Sequence, residues 1–377
     1  MKLKIFSDKS FLPKEIDHVQ MLFPFWGKNY ENHEPLRSGC YEPYIERGHS
    51  FFEMVPLAEA DLAVVPHSCN PTDEVQQKLA IQFYEKVNPA DKPLAIFIKG
   101  DYSANNLLKN TIVINHHLYH SQQKSNEFAI PVWSQDLATT YLDSQIHIRQ
   151  KQAKPVVGFC GYAPPLGMPF NQRKLKASFR WVAHQLGLTK FRPNLTGFAA
   201  RARALHFLSK SSLVSANLLI RDQFAFDYRG VLLPGGDQNS ALKSRQEFIS
   251  NMLESDYILC ARGAANCSIR FYESLSCGRI PILIDTDCVL PYDFAIAWKD
   301  YCVWVNETDI SHVAEKVAEF HDRLSPKDFI DLQYECRQLW NRWVSPEGYF
   351  ANFYRHLDQV GGVSHGSQNT HQQVAKC

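Results

Sequence analysis

Several familiar chemistries have no signature in this chain of 377 residues. No G-x-G-x-x-G turn is present, which removes the usual dinucleotide crevice of a dehydrogenase. No G-x-x-x-x-G-K-[ST] loop offers to cradle a nucleoside triphosphate, and no G-x-S-x-G elbow presents a nucleophilic serine. The 15 histidines include a His116-His117 pair but no H-E-x-x-H, and the ten cysteines include no C-x-x-C. Neither a zinc protease centre nor a structural zinc site is therefore expected. Forty Lys and Arg oppose 39 Asp and Glu, so a net charge of +1 leaves no global field for nucleic acid. No stretch approaches the roughly twenty apolar residues that span a bilayer. The opening MKLKIFSDKSF starts at once with a strand-like pattern and has no apolar signal core.

What the chain does have is ample core material, 45% hydrophobic against 21% charged residues, over a length suited to two domains. The cysteines are scattered and several lie inside apolar runs, where a thiol behaves as a small hydrophobe. A reducing compartment is the simplest inference, hence a cytoplasmic location, with peripheral attachment to a membrane left open. Two basic clusters, Arg173–Lys176 and Arg201–Arg203, read as solvated helix faces.

Strand-like runs at Leu3–Ile5, Leu62–Val65, Leu94–Ile98 and Thr111–Asn115 alternate with helical segments in the first part. One such helix is capped by Thr72 and shows Val75, Leu79, Phe83 and Val87 on one face. Alternation of this kind predicts a parallel sheet covered by helices. A polar, basic crossing follows at Asp143–Lys154, and a second series begins with a strand at Val156–Cys160. It continues with a helix at Arg173–Leu186 and another opened by a Ser244/Glu247 capping box. The expected division is 1–150, 151–345, a closing helix at 346–360 and a disordered polar tail at 361–377. The fold class is α/β, two Rossmann-like doubly wound domains facing a central cleft.

The densest information lies between Ser255 and Val305. Tyr257–Ala261 predicts a buried strand, Arg262 and Gly263 break it, and Asn266 or Ser268 caps a helix ended by Gly278. Ile269, Tyr272 and Leu275 form its predicted buried face, and Arg270 and Glu273 its outward face. Ile280–Ile284 predicts the next strand, before Asp285 and Asp287. A helix N-terminus at a strand edge suits an anion, because its first amides lack partners. A cation for phosphate beside a carboxylate for ribose hydroxyls points to a nucleotide sugar. Ligands of such folds lie at the carboxyl ends of the strands, which places Arg262, Gly263, Asn266, Asp285 and Asp287 at the cleft. Pro66, His67, Gly100 and Asp101 would face them from the first half. Asp285-Thr286-Asp287 spells D-x-D, but Arg270 already supplies positive charge there, so no metal is expected.

The run RGAANCSIRFYESLSCGRIPILIDTDCVLPY resembles the signature of the exostosin family of glycosyltransferases. The elements that match are Ser268, Arg270, Glu273, Gly278, Ile280, Pro281, Asp287, Leu290 and Pro291. ADLAVVP (Ala60–Pro66) and VVGFCGY (Val156–Tyr162) are similar to the family's strands in its two halves. The resemblance implies a GT-B fold and an inverting transfer, here from a UDP-sugar to a hydroxyl of a glycan or glycolipid acceptor, without cofactor. It gives Ser268, Arg270 and Glu273 to the nucleotide sugar, and their place at the strand ends adds Arg262, Gly263 and Asn266. Inversion needs a general base from across the cleft. His67 and Asp101 are the first candidates, with Glu53 and His49 behind them. Trp26, Tyr41 and Phe52 either pack in the core, the first expectation for such rings, or stack on the acceptor. Animal and plant members are tethered in the Golgi, so the present N-terminus suggests a bacterial cytoplasmic enzyme or a shortened chain. The rival readings are a GDP-fucose-dependent enzyme of similar fold and a carbohydrate-binding protein that has lost catalysis.

Overall fold

A computed structural model of the chain describes residues 2–28, 39–98, 100, 108–164, 195–221, 238–263 and 265–361. Two sheets organise it. The first has the order β2-β1-β3-β4-β5-β6, with β1 at Leu3–Phe6, β2 at Phe52–Met54, β3 at Leu62–Val64, β4 at Leu94–Phe97, β5 at Thr111–Asn115 and β6 at Glu127–Ala129. The second has the order β11-β10-β9-β7-β8, with β7 at Val156–Tyr162, β8 at Ser215–Arg221, β9 at Tyr257–Cys260, β10 at Ile280–Asp285 and β11 at Val303–Asn306. Every strand pair in both sheets is parallel.

Strands covered on both faces are apolar nearly throughout, and β3, β4, β5 and β9 are buried at every position, with Thr111 and Asn115 only at the ends of β5. Alternate residues feed separate cores. Leu62, Val64, Ala95 and Phe97 join the large cluster, whereas Ala63, Val65, Leu94 and Ile96 join a smaller one beneath the Glu74–Val87 helix. The chain finally returns to the first half. Tyr349, Phe350 and Phe353 stack there, with Tyr44–Phe350 centroids 4.4 Å apart and Phe97–Phe353 centroids 6.2 Å apart.

The carboxyl ends of the two sheets face each other. Residues after β5 meet those after β9 and β10, and an antiparallel bridge pairs Tyr119 with Cys288. Two parallel α/β units opposed in this way have the layout expected of a GT-B fold. Among the described residues no helix is long and apolar enough to cross a membrane.

Local expectations fared unevenly. The Glu74–Val87 helix is capped by Asp73 rather than Thr72, and its buried stripe is Gln76, Ala80, Phe83 and Val87; Val75 is exposed. The capping box at Ser244 is not used, because that helix already runs from Gln238 to Leu253. Glu247 instead accepts a bond from Arg221 at 2.7 Å. Tyr41 and Phe52 are core residues. The predicted helix at Arg173–Leu186 and the tail beyond Gly361 lie outside the described residues.

Candidate active site

The helix Ile269–Ser276 forms as predicted, with Ser268 in the extended conformation of an N-cap, although its hydroxyl makes no capping bond. Its burial is not the predicted stripe: every residue from Phe271 to Ser276 is buried. Phe271, Tyr272 and Leu275 are buried and Ile269 is 36% exposed, because the first helical turn emerges from the sheet edge.

Arg270 and Glu273 do not share an outward face. The Arg270 guanidinium crosses the end of β7, where Nη2 donates to the Cys160 carbonyl at 2.9 Å and the group lies 4.5 Å from the Phe159 ring centroid. Its Nε is buried without a partner. Burial lowers its pKa, with Cys260 and Glu273 acting in the opposite sense. Gly161 makes room for this side chain. Its φ is +148°, and a Cβ there would lie 2.9 Å from Arg270 Nη2. Glu273 is 5% exposed, and Oε1 accepts from Arg245 Nη1 at 3.3 Å across to the Gln238–Leu253 helix. Burial works against the Arg245 charge, but the Glu273 carboxylate and the Tyr141 hydroxyl outweigh it and raise the pKa.

Sequence reasoning missed Arg201, which it placed on a solvated helix face. The residue is 8% exposed. Its Nη1 donates to the Tyr162 carbonyl at 2.9 Å, and its Nη2 to the carbonyls of Ala261 and Arg262, both at 3.0 Å. Burial, and secondarily the Arg270 charge, push its pKa down to about 9. The alternation in ARARALHF was the available signal: Ala200, Ala204 and Leu205 are buried beside it. The glycine that permits this packing is Gly197, where a Cβ would stand 2.4 Å from the Gly263 carbonyl oxygen. Gly263 carries no such constraint, since a Cβ there would meet its nearest atom at an ordinary 3.7 Å.

Arg262 is 3% exposed, and its Nη1 donates to Tyr119 Oη at 3.1 Å and to Asn266 Oδ1 at 2.9 Å. Asn266 uses every polar atom of its side chain. Nδ2 donates to the carbonyls of Leu118 (2.8 Å) and Asp287 (3.1 Å), and Oδ1 also accepts from Thr286 Oγ1 at 2.7 Å. A narrow cavity lies below, lined on its polar side by Arg262, Asn266, Cys267, Ser268 and Thr286.

The D-x-D carboxylates are engaged within the protein. Asp285 Oδ1 accepts from the Cys288 amide at 3.0 Å, and Asp287 accepts from Ser121 N at 3.1 Å and Ser121 Oγ at 2.5 Å. Across the cleft, His67 follows β3 as expected but is fully buried. Its Nδ1 lies 3.1 Å from the Ser68 carbonyl, its Nε2 is unpartnered, and burial lowers its pKa. Asp101 lies outside the described residues. Glu53 and His49 are exposed near the β2 edge of the sheet.

Comparison with known proteins bears on the second half. The family description "Exostosin GT47 domain" matches residues 165–320. Exostosin-1 of Drosophila melanogaster is 27% identical over 107 residues, covering 28% of this chain and 14% of that protein. A probable beta-1,4-xylosyltransferase of Arabidopsis thaliana, IRX10L, is 36% identical over 66 residues, covering 18% and 16%. A probable glucuronosyltransferase of Oryza sativa subsp. japonica, GUT1, is 37% identical over 65 residues, covering 17% and 16%. The matched segments thus span a small fraction of these relatives. Among solved structures, TarM aligns at a TM-score of 0.35 and 11% identity over 79% of this chain and 54% of that one. An alpha-glucosyltransferase in complex with UDP aligns at 0.33 and 11% over 96% and 100%. Scores this low leave the fold to be read from the sheets themselves. The Ser268-x-Arg270-x-x-Glu273 helix lies inside residues 165–320, the span in which the chain is similar to the Exostosin GT47 domain.

Proposed function

We propose that the protein is an inverting glycosyltransferase that moves a sugar from a nucleotide sugar, a UDP-sugar, to a hydroxyl of a glycan or glycolipid acceptor. The observation that carries the reading is a group of arginines at the carboxyl ends of β7 and β9 beside a helix N-terminus: Arg201 and Arg262 are buried, and Arg270 is half-buried with its Nε enclosed. Among the described residues Arg201 and Arg270 donate only to backbone carbonyls and form no ion pair with a carboxylate. Buried cations without an anion are costly, and a diphosphate supplies the missing charge. Charge that develops on the departing diphosphate would be met by donors already in place. Glu273, fixed by Arg245, is the acceptor for ribose hydroxyls, and Ser268 and Gly263 bring hydroxyl and backbone to the phosphates. Asn266 then shapes the loop rather than touching the donor.

No metal is needed in this scheme: guanidinium groups neutralise the phosphates, and the Asp285 and Asp287 carboxylates are already engaged. For the base, His67 and Asp101 remain the candidates. His67 is the weaker of the two, because it is fully buried and the burial that lowers its pKa opposes taking up a proton. The nine cysteines of the described residues are all free, which supports a cytoplasmic location.

Calorimetry with UDP and with GDP, each with and without EDTA, tests the proposal. UDP binding that is insensitive to EDTA and lost in Arg270→Ala is expected, together with slow hydrolysis of a UDP-sugar in the absence of acceptor. Preference for GDP would redirect the reading to a fucosyl donor. UDP binding without hydrolysis would favour a binding protein, and no binding of either nucleotide would refute the site.

A further inference from the structure

Asp287 belongs to the motif that resembles the exostosins, yet neither phosphate binding nor metal binding absorbs it. It is one of the few non-glycine residues with positive φ, +67°. Asp adopts this conformation more readily than most residues, and here surrounding contacts hold it. Three of those contacts come from the other half of the molecule. The carboxylate takes both the amide and the hydroxyl of Ser121, which is 166 residues away in sequence. Its carbonyl accepts from the His120 amide at 2.9 Å and from Asn266 Nδ2 at 3.1 Å.

Around this point the junction is continuous. His117 Nδ1 accepts from the Asn266 amide at 2.8 Å, which assigns the proton of a neutral ring to Nε2. Asn266 Nδ2 reaches the Leu118 carbonyl, and Tyr119 bridges Cys288 as a short antiparallel pair. Leu118, Ala129 and Val289 form an apolar cluster of their own across the same boundary. Arg262 is oriented from both sides, by Tyr119 of the first half and Asn266 of the second. Separation of the halves would break the bonds made by His117–Ser121 together, and Arg262 would lose the one to Tyr119.

We propose that the segment His117–Ser121 and the pair Asn266/Asp287 form a clasp between the halves, in which Asp287 is a positioning residue that holds Arg262 in place for the donor diphosphate. The clasp rests on the structure alone, and its effect on the donor rests on the reading of the site above. A clasp that fixes the competent arrangement raises apparent donor affinity by raising the population of that arrangement. By reciprocity, donor binding tightens the clasp.

Two substitutions in the full chain separate the carboxylate from the backbone. Asp287→Gly accepts φ +67° without strain and removes only the side chain. Asp287→Asn tolerates the same φ and keeps an acceptor for the Ser121 amide, with Nδ2 able to donate to Ser121 Oγ. Amide hydrogen exchange over residues 117–122 and 262–268 and the dissociation constant for UDP are the readouts. For Asp287→Gly, faster exchange is expected in both segments, with UDP weakened about tenfold or more, because both carboxylate bonds to Ser121 are lost. Turnover at saturating donor should change much less than KM, and Asp287→Asn should recover most of both losses. Exchange that rises only beside residue 287, unchanged UDP affinity in the glycine variant, or an asparagine variant no better than glycine would each overturn the proposal. A wild-type protein that binds no UDP would overturn the donor site and with it the positioning role, while the exchange pattern would still decide whether the clasp exists.

Discussion

His356 offers the sharpest quantitative test of the packing. It lies on the Tyr354–Val360 helix, is completely buried, and neither ring nitrogen has a partner. Its ring lies parallel to Tyr292 at 4.7 Å and tilted against Phe128 at 4.6 Å. Burial in this aromatic cage pushes its pKa down to about 3, against 6.5 for an ordinary histidine. Above pH 6.5 the ring is neutral in both folded and unfolded chains, so stability does not depend on it. Between the two values the unfolded chain binds a proton that the folded one refuses, so stability falls as pH falls. The slope is about 1.4 kcal/mol per pH unit, or roughly 2.7 kcal/mol over the two units below 6.5. Burial also lowers the pKa of His18 and His67, which add slopes of the same sign. Comparison with His356→Leu isolates the one group. Near neutral pH the variant loses ring stacking of about 1 kcal/mol and is relieved of unsatisfied nitrogens costing about 1–3 kcal/mol, so the two proteins should be similar. Urea unfolding from about pH 7.5 down to about pH 4.5 should then show the leucine variant gaining on wild type by about 1.4 kcal/mol per unit below 6.5. Parallel stability curves would refute the reasoning.

Other substitutions test the site itself. Glu273→Ala leaves Arg245 buried without its anion and should cost about 3–5 kcal/mol, read as a lower denaturation midpoint. Glu273→Gln keeps an acceptor for Arg245 and should cost less; equal losses would deny the pair its charge. Gly197→Ala drives a methyl to 2.4 Å from the Gly263 carbonyl and should cost about 1–3 kcal/mol, whereas Gly263→Ala should be tolerated. The reverse order of midpoints would show that the packing of the Leu195–Lys210 helix has been misread. Gly161→Ala crowds Arg270 Nη2 at 2.9 Å and should weaken UDP binding measured by calorimetry; unchanged affinity would separate Arg270 from the nucleotide.

Strong local patterns were legible in the sequence. Thr111–Asn115 matches β5 to the residue, Ile280–Ile284 matches β10 to within one residue, and Ser268 stands at the N-cap of its helix. These elements are central or sharply bounded, so apolar runs and turn residues mark them. Strands β2, β6 and β8 were not legible. β2 and β6 are short edge strands without the fully apolar run that marks the equally short β3, and β8 is an edge strand whose SANLLIR residues are all exposed or half-buried. Helical periodicity misjudged Val75 and Ile269, because burial at a helix start depends on how that turn leaves the sheet.

By itself the sequence determined that the chain builds parallel α/β units, and that Arg270 and Glu273 stand on a helix opening at a strand end. It did so because periodicity, capping and glycine placement act over a few residues. Only the tertiary structure decided what those side chains meet. Glu273 finds Arg245 on another helix, Arg201 turns inward under the loop after β9, and Asp287 reaches Ser121 in the opposite half. Such contacts join residues 28 to 166 positions apart, and no local rule of propensity or spacing encodes which groups the two sheets bring face to face.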